Sequence, residues 1–155
     1  MALEEQIMND MKAALLGGNR FEGDTLRNLK AAILNEKVAA GTRDEPMSDE
    51  AVEKIVAREV KKRRESIKLY EENGRPELAE SEKNEIAVLE KYLPQMMSED
   101  ELAAMIDEVV TSMGDVTMQQ MMGQVIGAVK AKTGNAADGA LVAKLVKEKL
   151  QQSNN

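Results

Sequence analysis

The chain contains no cysteine and no histidine. That removes disulfides, thiolate nucleophiles, imidazole general bases and the common zinc-ligand sets. Tryptophan is absent as well, and the aromatic residues come down to Phe21, Tyr70 and Tyr92. Only three prolines interrupt 155 residues. No apolar run approaches the roughly 20 residues that a spanning helix needs, so no membrane partner is expected. The N-terminus carries Glu4, Glu5 and Asp10 where a secretory signal would have a basic segment followed by an apolar one. A cysteine-free chain suits a reducing compartment, and the expected location is cytoplasmic.

What remains is rich in Ala, Glu, Lys, Leu and Met, the better helix formers. The chain is 43% hydrophobic and 32% charged, the composition of a globular chain rather than a disordered one. The expected fold is all-α, and the length suits one ordinary domain or two small ones.

Periodicity divides the chain into segments. Leu3, Ile7, Met11, Ala14 and Leu15 predict a helix over 3–16, stopped at Gly17-Gly18. A second helix is predicted from Asp24 or Thr25 to Gly41, with Leu26, Leu29, Ile33 and Val38 on its buried face. Ser48 reads as the N-cap of a long third helix over 49–72, its stripe Val52, Ile55, Val56, Val60, Ile67 and Tyr70. Gly74 and Pro76 suit a helix end and a helix start, so a fourth helix over 76–92 folds back as an αα-hairpin. Its stripe, Leu78, Ile86, Leu89 and Leu93, is weakened by Glu82 on the same face. Pro94 stops it. Ser98-Glu99-Asp100-Glu101 and Thr117-Met118-Gln119-Gln120 read as capping boxes, and Asp138 as the cap of a last helix. The expected architecture is an N-terminal four-helix region with a long hairpin, 1–94, followed by a small three-helix bundle, 95–155.

The net charge of −7 argues against a general nucleic-acid coat, but the charges are unevenly placed. Residues 58–68 hold six basic and two acidic groups, residues 71–90 two basic and seven acidic, and residues 116–155 five lysines against Asp138 and Glu148. Arg58, Lys61, Lys62, Arg64 and Lys68 form a basic patch that could meet phosphate. The acidic return helix (Glu77, Glu80, Glu82, Glu85, Glu90) competes for it by internal pairing, which is the preferred reading. Lys130, Lys132, Lys144 and Lys147 form the second candidate. The loop Gly134 to Gly139 lies between them, and its amides at a helix start would suit an RNA phosphate. Against this, lysine near a helix C-terminus also simply answers the dipole, and Asp138 opposes an anion. Met118, Met121 and Met122 read as core, with a plastic partner groove as the alternative. Gly123 and Gly127, a G-x-x-x-G pair, read as a site of close helix packing. No catalytic constellation, metal-ligand spacing or phosphate-binding glycine loop stands out, so no cofactor is expected.

The run Glu59 to Ile67 (EVKKRRESI), Tyr70, Gly74-Arg75 and Glu85 to Pro94 (EIAVLEKYLP) resembles the GatB/YqeY family. Ser98 to Leu102, Met122-Gly123, Ala137-Asp138-Gly139 and Lys147 to Leu150 agree with it. The resemblance implies two helical domains, the second similar to the tail of the B subunit of the tRNA-dependent amidotransferase, which contacts tRNA. A similar domain is appended to some glutaminyl-tRNA synthetases. The implied role is a tRNA-associated accessory protein. The alternatives are a module docking an amidotransferase or aminoacyl-tRNA synthetase, and a carbon–nitrogen ligase using glutamine, as the family label has it. The amidase Lys-Ser-Ser arrangement and the kinase-like core of the full enzyme are missing from the sequence.

Overall fold

The short run Gly17-Gly18-Asn19 separates the first two helices, α1 (Leu3–Leu16) and α2 (Arg20–Ala40). The structure is a computed structural model that describes residues 1–114 and 122–153. α2 begins four to five residues earlier than expected. Asn19 caps it, its side-chain oxygen accepting the Glu22 amide at 3.2 Å while its Nδ2 donates to Glu22 Oε2 at 2.8 Å. This variant of the capping box outcompetes Asp24 and Thr25. Asp24 instead lies 3.7 Å from Arg27 on the surface, and the Thr25 hydroxyl donates to the Phe21 carbonyl within the helix.

The third helix, α3 (Asp49–Glu72), is capped by Ser48, which accepts the Ala51 amide at 3.2 Å. Gly74 adopts φ +70°, a left-handed conformation natural to glycine. That lets the Arg75 amide reach back to the Tyr70 carbonyl at 2.8 Å. Pro76 then opens α4 (Pro76–Leu89), and the pair packs as the expected hairpin. α4 ends at Leu89 rather than at Tyr92, because Glu90–Tyr92 tighten into a 3₁₀ turn.

The first compact unit, Met1–Leu93, encloses a core of Ile7, Met11, Leu26, Leu29, Ile33, Val52, Ile55, Val56, Val60, Ile86, Val88, Leu89 and Tyr92. Not every expected core position is in it. Val38 and Leu78 are exposed, Tyr70 is half-buried outside the core, and Leu3, Leu15, Ile67 and Leu93 pack against it only partly buried. The adjacent Lys37 is buried in place of Val38, its ammonium bonded to the Glu4 carboxylate, which also accepts the Met47 amide at 2.9 Å. Burial pushes the Glu4 carboxyl up, but the Lys37 and Met47 bonds outweigh it and hold it below the usual range. The Leu3 amide donates to Asp49 Oδ1 at 2.8 Å. The start of α1 is thus tied to the loop before α3 and to α3 itself.

The second unit begins at Pro94. It comprises α5 (Glu99–Met113), α6 (Met122–Thr133), a 3₁₀ turn at Gly134–Ala136 and α7 (Gly139–Ser153). Ser98 caps α5 by accepting the Glu101 amide at 3.1 Å, and Asp138 accepts the Ala140 amide at 3.1 Å at the start of α7. All three helices touch one another. Their stripes close over Leu102, Ile106, Val109, Val110, Val125, Val129, Val142, Val146 and Leu150. The described residues form helices and turns and contain no strand. The expected capping box at Thr117, together with Met118 and Met121, lies outside the described residues.

Candidate nucleic-acid interface

Two sets of basic side chains were candidates, and their surroundings differ. In the hairpin patch, Arg64 lies 3.1 Å from Glu90, in the 3₁₀ turn that follows α4. Arg58 lies 3.3 Å from Glu36 on α2, and Lys62 lies 3.1 Å from Glu59 one turn back. Lys61 and Lys68 are exposed and enter no ion pair among the described residues. Of the acidic residues expected to neutralise the patch, only Glu90, just past the end of α4, does so; Glu36 on α2 and Glu59 on α3 supply the rest.

Arg63 joins this network at greater depth. It lies 3.7 Å from Glu59 Oε1 and 3.5 Å from Glu85 Oε2, and one Nη donates to the Glu59 carbonyl at 3.0 Å. Burial, then the nearby Glu85 carboxylate, raises the Glu82 carboxyl above its ordinary range, with Arg63 pulling it back. The expected pattern missed the burial of Glu59. Its position among Val52, Ile55, Val56 and Val60 at helical spacing was the available signal.

The second set is different. Lys130, Lys132, Lys144 and Lys147 are all exposed, and none forms an ion pair among the described residues. Lys130 and Lys132 occupy the last turn of α6, where the helix dipole favours cations. The Lys130 chain also leans toward the first turn of α7, its Cε 4.0 Å from where a Cβ on Gly139 would stand. Lys144 and Lys147 lie three residues apart on α7 and so share a face. Lys149, by contrast, is paired with Asp107 at 2.9 Å.

One expected element is corrected here. The amides at the start of α7 do not stand open as a phosphate cradle. Gly134–Ala136 are wound into a 3₁₀ turn, and the Asp138 carboxylate already takes the Ala140 amide. An anion approaching that end would meet a carboxylate. Any phosphate contact therefore falls to the lysine side chains. The G-x-x-x-G reading is corrected as well. Gly123 and Gly127 are exposed, and a Cβ on either would meet nothing within 4 Å. These glycines face away from the three-helix core, so no helix of the described unit packs closely on them. Among the described residues, no three acidic side chains converge as a metal-holding group, and no helix is long and apolar enough to cross a membrane.

Comparison with known proteins gives a consistent family. The model described as Yqey-like protein matches residues 4–150. A curated relative from Eremothecium gossypii, named altered inheritance of mitochondria protein 41, mitochondrial, is 30% identical over 141 residues, spanning 87% of this chain and 76% of its own. Relatives with the same name from Kluyveromyces lactis and Clavispora lusitaniae are 27% and 24% identical, spanning 82% and 90% of this chain and 69% and 72% of their own. The relatives' names overturn the cytoplasmic expectation, since they point to mitochondria. The physical reason it failed is that a lack of cysteine suits any reducing compartment and cannot separate one from another.

Proposed function

This chain belongs to the Yqey-like protein family, and on that premise we propose that it is a tRNA-associated binding protein. Its second unit meets the tRNA backbone through Lys130, Lys132, Lys144 and Lys147. The observation that carries this reading is the contrast between the two basic sets. Three of the five hairpin cations are held in ion pairs, whereas these four lysines are exposed and unpaired among the described residues. Unpaired lysines release phosphate counterions without first breaking a bond. The resemblance of the second half to the amidotransferase tail supplies tRNA as the nucleic acid.

A mobility-shift titration against bulk tRNA at two salt concentrations tests it. Binding is expected at low salt and is expected to weaken steeply as salt rises. Changing all four lysines to alanine should flatten the salt dependence by about three units of log–log slope. Absence of binding at low salt, or a quadruple variant that binds as before, would sink the reading.

A second reading rests on Leu69 and Leu78. Both are exposed, and they flank the hairpin turn, where an apolar contact with a protein partner such as an amidotransferase would bury them. Recovery of one defined partner after nuclease treatment, lost on changing both leucines to serine, would favour docking over tRNA contact.

A further inference from the structure

The turn between α3 and α4 carries Asn73-Gly74, and of the chain's asparagines only Asn73 is followed by glycine. Glycine puts no side chain between its own nitrogen and the preceding carboxamide. Every residue from Glu71 to Leu78 is exposed, so little core contact holds the turn shut. In the closed turn the two groups are kept apart. Asn73 Nδ2 donates to the Leu69 carbonyl at 2.7 Å, and a ψ of 12° at Asn73 turns the Gly74 nitrogen away from the Asn73 side chain. The nitrogen itself is loosely tied, since the Gly74 amide reaches the Glu71 carbonyl only at 3.3 Å, long for such a bond. An exposed helix end with few buried contacts opens at low free energy, and opening releases both groups.

We propose that Asn73-Gly74 is a self-modification site, at which the hairpin turn converts to aspartyl and isoaspartyl forms with water as the only co-reactant. In the opened turn the Gly74 backbone nitrogen gives its proton to hydroxide and attacks Asn73 Cγ. The new N–Cγ bond closes a succinimide ring. The Cγ–Nδ2 bond breaks, and the nitrogen leaves as ammonia with a proton from water, which restores the hydroxide. Water then opens the ring at one of its two carbonyls. Opening at Cγ restores the main chain with an aspartate at 73. Opening at the backbone carbonyl routes the main chain through Cγ and leaves an isoaspartate. Nothing is oxidised or reduced. Either product disturbs the turn. A carboxylate cannot donate, so the Leu69 carbonyl at the end of α3 loses its side-chain donor. The new negative charge joins Glu71 and Glu72 at a helix C-terminus, where the dipole disfavours it. The isoaspartate also lengthens the main chain just before Gly74, which pulls the Arg75 amide from the Tyr70 carbonyl that it meets at 2.8 Å.

The test is peptide mapping by mass spectrometry after the full-length protein has been incubated at neutral and at mildly alkaline pH. Asn73 should gain the mass of an amino group replaced by hydroxyl, ahead of every other asparagine. The product should elute as two species, one of which accepts a methyl group from a protein isoaspartyl methyltransferase. Conversion should speed up several-fold at the higher pH, because the attacking nitrogen must first lose its proton. Asn73→Gln, whose longer side chain cannot close the same ring, should block conversion and leave the circular dichroism spectrum unchanged. Asn73→Asp, which carries the charge of the product from the start, should lower the melting temperature. Several outcomes would overturn the proposal. They are an intact Asn73 when a synthetic peptide of residues 69–78 has already converted, another asparagine converting first, a rate indifferent to pH, and an Asn73→Asp protein that melts with the parent.

Discussion

Tyr92 shows how one side chain can hold the two ends of a unit together. Its hydroxyl donates to Asp10 Oδ2 at 2.6 Å across 82 residues of chain, a charge-assisted length. Burial, then the Asp10 carboxylate, raises the phenol well above its ordinary value of about 10. A raised folded value means the native state holds its proton more tightly. The stabilisation is therefore complete below about pH 10 and is lost as pH climbs past it. Tyr92→Phe should cost about 1–2 kcal/mol at pH 8. Urea melts at pH 8 and pH 11 should show the gap between variant and parent narrowing at the higher pH, and a gap that stays constant would disprove the linkage. The Tyr92–Asp10 bond was not legible in the chain, since a phenol and a carboxylate so far apart carry no local signal. Lys37 was misread for a related reason. Helical spacing favours Val38, but the Glu4 carboxylate makes burying a lysine tolerable.

At the scale of elements, three glycines make the sharpest contrast. Gly23 is buried where α1 crosses α2, and a Cβ there would stand 2.5 Å from Leu15 Cδ2 and 2.8 Å from Leu15 Cγ. Alanine is the better helix former by about 1 kcal/mol, but overpacking costs about 1–3 kcal/mol. Gly23→Ala should therefore destabilise the protein by about 1 kcal/mol. Gly123 and Gly127 on α6 have open space around them. Alanine at either should stabilise by about 0.5–1 kcal/mol, the propensity gain alone. Chemical melts of the three variants check this, and a Gly23→Ala protein more stable than Gly127→Ala would reverse the assignment of where helices pack closely. The spacing of Gly123 and Gly127 suggested a close crossing, and that of Gly23 suggested nothing. The difference lies in which face each helix turns to its neighbour. The start of α2 was legible in principle, because Asn19-Arg20-Phe21-Glu22 carries a capping signal. The ends of α1, α3 and α5 were read correctly from Gly17, Gly74 and Gly114.

At the scale of the whole molecule, each core closes within its own unit. Among the described residues, the first core is assembled from side chains between Leu3 and Leu93 and the second from side chains between Leu102 and Leu150. Residues 1–93 and 94–155, expressed separately, should each show helical circular dichroism and a cooperative melt. The shorter piece should be the less stable, because a small domain buries a smaller fraction of its surface. A fragment that remains unfolded alone would show that its core depends on the other.

The sequence by itself determined the all-α class, the long hairpin and most helix ends, because propensity, capping and glycine chemistry act over a few residues. It marked the basic residues of α3, α6 and α7 as surface groups, but the preferred reading paired Lys61 and Lys68 with the acidic return helix, and neither enters an ion pair among the described residues. Only the tertiary structure decided which cations are neutralised, since Arg58 finds Glu36 on another helix and Lys149 finds Asp107. It alone decided that Glu59 is buried. Pairing and burial depend on which helix faces meet, and that is set by the packing of the whole core rather than by any one segment.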